Sequence, residues 1–241
     1  MTLFVGLCGF GLQASTISGM FQLNGIVTVT ANTISWSSTN GPGTALVQNA
    51  SGSFAAVNNT FADITTLVNP PSNTGVGAVG SPFPDTTFIT FPSDPALGYL
   101  AINFIFPGVY GTAQCGAAPA ITSPPQQCTP PIAAGTPGPF NMVNNPGVGG
   151  PQATITWVFS GNAYSGGSIG GTWNGNFTSQ ENIPYQTVLA QLASGSATNT
   201  FSESTLVISV GMPEGGTLAL VGFGLVLMSA GIKRFGKRSN S

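Results

Sequence analysis

The chain has 241 residues, of which 41% are hydrophobic and only 4% charged, with no histidine and a formal net charge of −2. All of its basic residues, Lys233, Arg234, Lys237 and Arg238, stand at the C-terminal end. Everything before them lacks the side chains that neutralise phosphates or act as a catalytic imidazole or amine. This excludes nucleic-acid binding, Ser-His-Asp and Cys-His catalysis and a lysine nucleophile in the body of the chain.

From the N-terminus, residues 3–12 (LFVGLCGFGL) form a short apolar run followed by Gln13, Ala14 and Ser15. This is the h-region and small-residue zone of a secretory signal peptide, predicted over 1–15 without the usual positive n-region. Residues 16–211 then read as short strands between turns. Alternating apolar positions predict strands over 26–36 (Val27, Val29, Ala31), 87–91, 99–106 (Leu100, Ile102, Phe104 and Phe106 on one face), 152–160 (Ala153, Ile155, Trp157, Phe159) and 205–210. Pro/Gly/Asn-rich stretches at 69–84, 107–139 and 144–151 read as loops. Many short strands with such turns predict a mainly β fold, an antiparallel β-sandwich or jelly roll. Residues 182–194 break the pattern. Pro184 near the start, Tyr185, Val188, Leu189 and Leu192 at helical spacing and Gly195 after the end predict one short amphipathic helix covering an edge or end of the sheet.

With the signal removed, Cys115 and Cys128 remain as an even pair flanking a Pro-rich loop, as expected for a disulfide in an oxidising compartment. Metal binding is the alternative, but two thiols in a chain without histidine do not complete a usual zinc site. No cofactor motif is present: the Gly-rich 166–171 stretch matches no dinucleotide fingerprint, and no phosphate loop ends in Gly-Lys-Ser/Thr.

Five carboxylates lie in the body: Asp63, Asp85, Asp94, Glu181 and Glu203. Each stands in a turn-like context that suits capping or a solvated position. A pair of them is the minimum a glycoside hydrolase needs, and Asp85 and Asp94, flanking a strand, are the calcium alternative. Trp173, beside Asn174 and Asn176, has the chemistry of a sugar platform, an apolar face next to amides. The competing reading is an alternating strand with Trp173 or Phe177 packed inward.

The C-terminal end is the most ordered set of signals. Met212-Pro213-Glu214 precedes 18 uncharged residues (215–232, GGTLALVGFGLVLMSAGI), followed by the basic stop at 233–238. An all-apolar helix of this length predicts a single transmembrane helix, with the positive end cytoplasmic and the body outside. Met212-Pro213-Glu214, Thr217-Leu218-Ala219-Leu220, the Gly-rich apolar run and the Lys/Arg cluster resemble a PEP-CTERM sorting domain over 212–238. The match departs at Gly215, where the family carries a second proline. The resemblance implies an exported bacterial protein, often from exopolysaccharide-producing species, that is recognised at the proline-glutamate motif by a membrane-embedded exosortase. It assigns no activity to the body.

These observations predict an exported, non-enzymatic protein of the cell surface or extracellular matrix. Its expected partners are the membrane, an exosortase-type enzyme and, in a further reading, polysaccharide. A carbohydrate-binding module using Trp173, Asn174 and Asn176 is the first alternative and a carboxylate glycosidase the second.

Overall fold

The structure is a computed structural model that describes residues 16–31, 33–68, 78–133 and 135–209. Eight strands build its frame: β1 (Gly19–Thr30), β2 (Thr44–Gln48), β3 (Phe61–Ile64), β4 (Thr86–Thr90), β5 (Tyr99–Ile105), β6 (Gly150–Ser165), β7 (Ser168–Glu181) and β8 (Ser196–Ser209). Each pairs antiparallel with the next in sequence. The eighth pairs back along all of β1, from Gly19 opposite Val207 to Thr30 opposite Ser196. The result is a closed up-and-down barrel. The expected β-sandwich or jelly roll is thereby corrected, because the main sheet closes on itself and packs its inner face against itself, while the one other sheet among the described residues is a two-stranded piece, Pro131–Ala133 with Thr136–Pro137. Local alternation is the same in both architectures.

The strands have unequal lengths, and this gives the barrel two different ends. At one end all eight strands meet, and the 3₁₀ turn Gly52–Val57 inserts Phe54 against Phe21 at 4.8 Å and Phe91 at 5.5 Å. At the other end only β6, β7, β8 and β1 continue. They are flanked by Thr33–Ser38 on the β1 side and by Asn141–Gly147 on the β6 side. Helix α1 (Tyr185–Ser194), between β7 and β8, covers this wide end with Tyr185 and Val188 buried. The helix starts after Pro184 and stops at Gly195, whose φ of 140° a side chain would resist.

An eight-stranded barrel is just wide enough for side chains to fill it. Here aromatic rings do so. Trp157 stacks on Phe177 at 5.6 Å, and Phe88 stacks on Trp173 at 5.9 Å and meets Phe159 edge-on at 5.6 Å. Gly175, between Trp173 and Phe177 on the same inward face of β7, makes room for both rings. A Cβ on Gly175 would lie 2.9 Å from the Trp173 ring and 3.2 Å from that of Phe177.

Several strand expectations shift for identifiable reasons. The 26–36 stretch is two strands, with the chain reversing between Thr30 and Thr33, whose hydroxyls meet at 2.8 Å. The β6–β7 hairpin turns on Gly166 and Gly167, both with positive φ (58° and 81°), which is the requirement of a type I′ turn. In β5 a bulge leaves Asn103 without a register partner between Ile102 and Phe104. It reverses the phase, so that Leu100, Ile102 and Ile105 face inward while Phe106 is exposed. The transmembrane helix expected over 215–232, like the signal segment 1–15, falls outside the described residues. Among the described residues no helix is long and apolar enough to cross a membrane. The observed fold class is a mainly β barrel with one helix.

Candidate functional site

Trp173 does not form a sugar platform. Its side chain faces into the barrel, 1% exposed, and its indole N–H donates to the Ala101 carbonyl at 2.7 Å. Strand periodicity then puts Asn174 and Asn176 on the opposite, exposed face of β7. The three residues therefore cannot contact one ligand together.

Cys115 and Cys128 are joined as a disulfide, with Cα atoms 5.0 Å apart. The bond closes the 115–128 loop, and buried amides extend the tie. Asn144 accepts from the Tyr185 backbone N–H at 3.0 Å, and its Nδ2 lies 3.0 Å from Gln126 Oε1 and 2.9 Å from Gln186 Oε1. The Tyr185 hydroxyl donates to the Gln114 carbonyl at 2.9 Å. The N-terminal end of α1 is thus fastened to both the strand Asn141–Gly147 and the disulfide loop. Met212, Pro213, Glu214, Lys233, Arg234, Lys237 and Arg238 lie outside the described residues.

The carboxylates separate into outer and inner sets. Asp63 is exposed on β3, and Asp85 and Asp94 stand at opposite ends of β4. Glu181 and Glu203 face the interior at 5% and 1% exposure. Glu203 lies opposite Phe177, four residues before Glu181 on β7, so the two acids are about 13 Å apart along the strand direction. That exceeds the roughly 5–9.5 Å of paired glycosidase carboxylates. Among the described residues no group of three or more metal-ligating side chains is positioned to hold an ion.

Two places concentrate polar chemistry. The first is on the outer wall, where the β5 bulge turns Asn103 toward Asp85. Asp85 accepts from Asn103 at 2.8 Å through Oδ1, and through Oδ2 from Asn162 at 2.9 Å and Tyr164 at 2.5 Å. Partial burial pushes this carboxyl up, but the three hydrogen bonds outweigh it and hold it below its ordinary value. The same bond pushes the Tyr164 phenol up to about 12. Tyr164 stacks flat on Tyr99, with ring centres 4.8 Å apart.

The second place lies inside the wide end, beneath α1. Glu181, Ser179 and Trp157 line a chamber of about 30 Å³, together with apolar residues including Met142, Val188 and Leu192. Ser179 Oγ lies 2.7 Å from both Glu181 Oε1 and the Thr200 carbonyl. A hydroxyl has one proton, and a carbonyl can only accept. When Ser179 donates to Thr200, the contact to Glu181 is made with the carboxyl's own proton. Burial favours the neutral form and pushes the Glu181 carboxyl up, while the Ser179 hydrogen bond, when Ser179 donates to Glu181 instead, pulls it down. Trp157 is 1% exposed, and its indole N–H has no hydrogen-bond partner. The chamber was hidden in the sequence because Ser179 and Glu181 occupy positions where alternation leads one to expect apolar side chains.

No model of a known protein family, no curated protein and no solved structure matches this chain.

Proposed function

We propose that the chain is an exported, non-catalytic barrel protein of the cell surface or extracellular matrix that acts through its outer wall. The observation that carries this reading is the division of chemistry across that wall. Stacked aromatic rings fill the middle of the barrel, while the outer faces of β1, β7 and β8 present mostly Asn, Gln, Ser and Thr, interrupted by exposed Met20, Ile26, Ile169, Leu206 and Ile208, with no basic side chain before position 233. Such a surface is weakly self-repelling and suits contact with neutral, hydroxyl-rich surroundings. The disulfide fits an oxidising compartment. The PEP-CTERM-like residues 212–238 supply the sorting signal, to be recognised at Met212-Pro213-Glu214 by an exosortase-type enzyme.

The test is localisation. An epitope inserted at Val148, which is 99% exposed in a turn, is followed in a bacterial host with and without its exosortase. The expected result is a protein in the envelope or culture medium with a mass reduced at both ends. A full-length protein confined to the cytoplasm overturns the proposal.

A second reading is polysaccharide binding, now carried by the Asp85 cluster in place of Trp173. Asp85 fixes two amides and a tyrosine of a stacked pair on one exposed wall. Each amide keeps a second N–H and a carbonyl for sugar hydroxyls. Affinity electrophoresis in neutral polysaccharide gels checks it: retardation that Tyr164→Ala abolishes supports this reading, and unchanged mobility sinks it.

A further inference from the structure

We infer that the wide end of the barrel is a binding site for a neutral aliphatic alcohol, with its hydroxyl between Trp157 and Glu181 and its chain in the adjoining apolar vestibule. The chamber beneath α1 does not stand alone. A second cavity of about 340 Å³ lies against it, lined by Thr30, Ile34, Pro130, Ile132, Leu189 and Ala193 among others, and Val29, Phe140 and Leu192 belong to the lining of both. The outer volume sits at the low end of the roughly 300–1,000 Å³ of small-molecule sites. The inner one has room for a single polar group.

The polar groups define the head. The Trp157 indole is a donor without a partner in a buried place, and such groups are rarely left unmatched. It calls for an acceptor oxygen. Glu181, hydrogen-bonded to Ser179 through Oε1, lines the same chamber and can offer a carboxyl oxygen there as an acceptor. A hydroxyl meets both demands, whereas an ether or ketone meets one. A carboxylate head is disfavoured, since no Lys, Arg or His occurs before position 233 and Glu181 would face a like charge. Val29, Ile34, Ile132, Phe140 and Leu192 in the vestibule suit a short alkyl chain. Access lies under the C-terminal half of α1, because the N-terminal end is fastened through Tyr185 and Asn144.

The experiment uses the full-length protein and displacement of the neutral fluorophore N-phenyl-1-naphthylamine by 1-octanol, with octane for comparison. Saturable displacement by 1-octanol is expected. Trp157→Phe should weaken 1-octanol about tenfold while leaving octane unchanged, as the loss of one buried hydrogen bond requires. Leu192→Trp, on a partly exposed helix face, should fill the vestibule and abolish displacement by both, with an unchanged circular dichroism spectrum. The inference is overturned by absence of saturable binding to the wild-type protein, by retained binding in Leu192→Trp, or by equal weakening of octane and 1-octanol in Trp157→Phe.

Discussion

The indole N–H of Trp173 on β7 reaches past the middle strand β6 to the carbonyl oxygen of Ala101 on β5, 2.7 Å away. Gly161 of β6 makes the crossing possible. A Cβ there would lie 1.8 Å from that carbonyl oxygen and 2.9 Å from Trp173 Nε1. Gly161→Ala is therefore expected to displace the Ala101 carbonyl, break the hydrogen bond and cost about 3 kcal/mol or more. Trp173→Phe keeps most of the ring but loses the donor, and should cost about 1–3 kcal/mol. Urea unfolding of the two variants checks both magnitudes and their order.

Glu203 makes stability depend on pH. Burial pushes its carboxyl well above the usual value, against a backbone hydrogen bond at Leu23, and its Oε2 has no partner. The folded state holds the proton that the unfolded chain releases near pH 4.5. Its contribution is fully present below that pH and is lost as the pH rises toward the folded-state value. Glu203→Gln should flatten the decline, leaving the variant relatively more stable at pH 8 than at pH 4. Thermal melts across this range decide the matter, and parallel curves for the two proteins would count against the assignment.

Tyr164 reports on the outer cluster. Its phenol is expected to ionise at about 12, and Asp85→Asn should return it toward the ordinary 10.0, because the carboxylate that favours the phenol proton is gone. Ultraviolet difference titration of the wild-type protein and the variant measures the change. An unaltered titration would place the Tyr164 shift elsewhere.

The wide end depends on its ties. Replacing Cys115 and Cys128 by serine opens a short loop and should cost about 3 kcal/mol. Asn144→Ala leaves the Tyr185 N–H and its amide neighbours unmatched and should cost about 2 kcal/mol. Hydrogen exchange is expected to show the loss concentrated in α1, with the closed end of the barrel protected.

How far the sequence reaches differs from strand to strand. In β6, Ala153, Ile155, Trp157 and Phe159 alternate as expected, and all four face inward. The short helix was also legible from Pro184 and Gly195, and the cysteine pair from Cys115 and Cys128 flanking one Pro-rich loop, with Cys8 assigned to the signal segment. β7 and β8 were not. Their inward positions include Gly175, Ser179, Glu181, Glu203 and Thr205, which blur the alternation of polarity. The Gly166-Gly167 pair was the available signal, because a two-residue turn of this kind demands strands on both sides. The β5 bulge at Asn103 defeated the phase of 99–106, since an extra residue leaves no mark in a run of apolar side chains.

By itself the sequence determined a mainly β body and the exclusion of imidazole and amine chemistry from that body. Each follows from composition or from neighbours close in the chain. Only the tertiary structure decided that the sheet closes, that Trp173 faces inward and that Glu181 meets Trp157 around one chamber. Closure rests on Gly19 pairing with Val207, and the sites rest on strands brought together from distant parts of the chain. Local alternation establishes that a strand has two faces, but long-range pairing determines which of them becomes the interior.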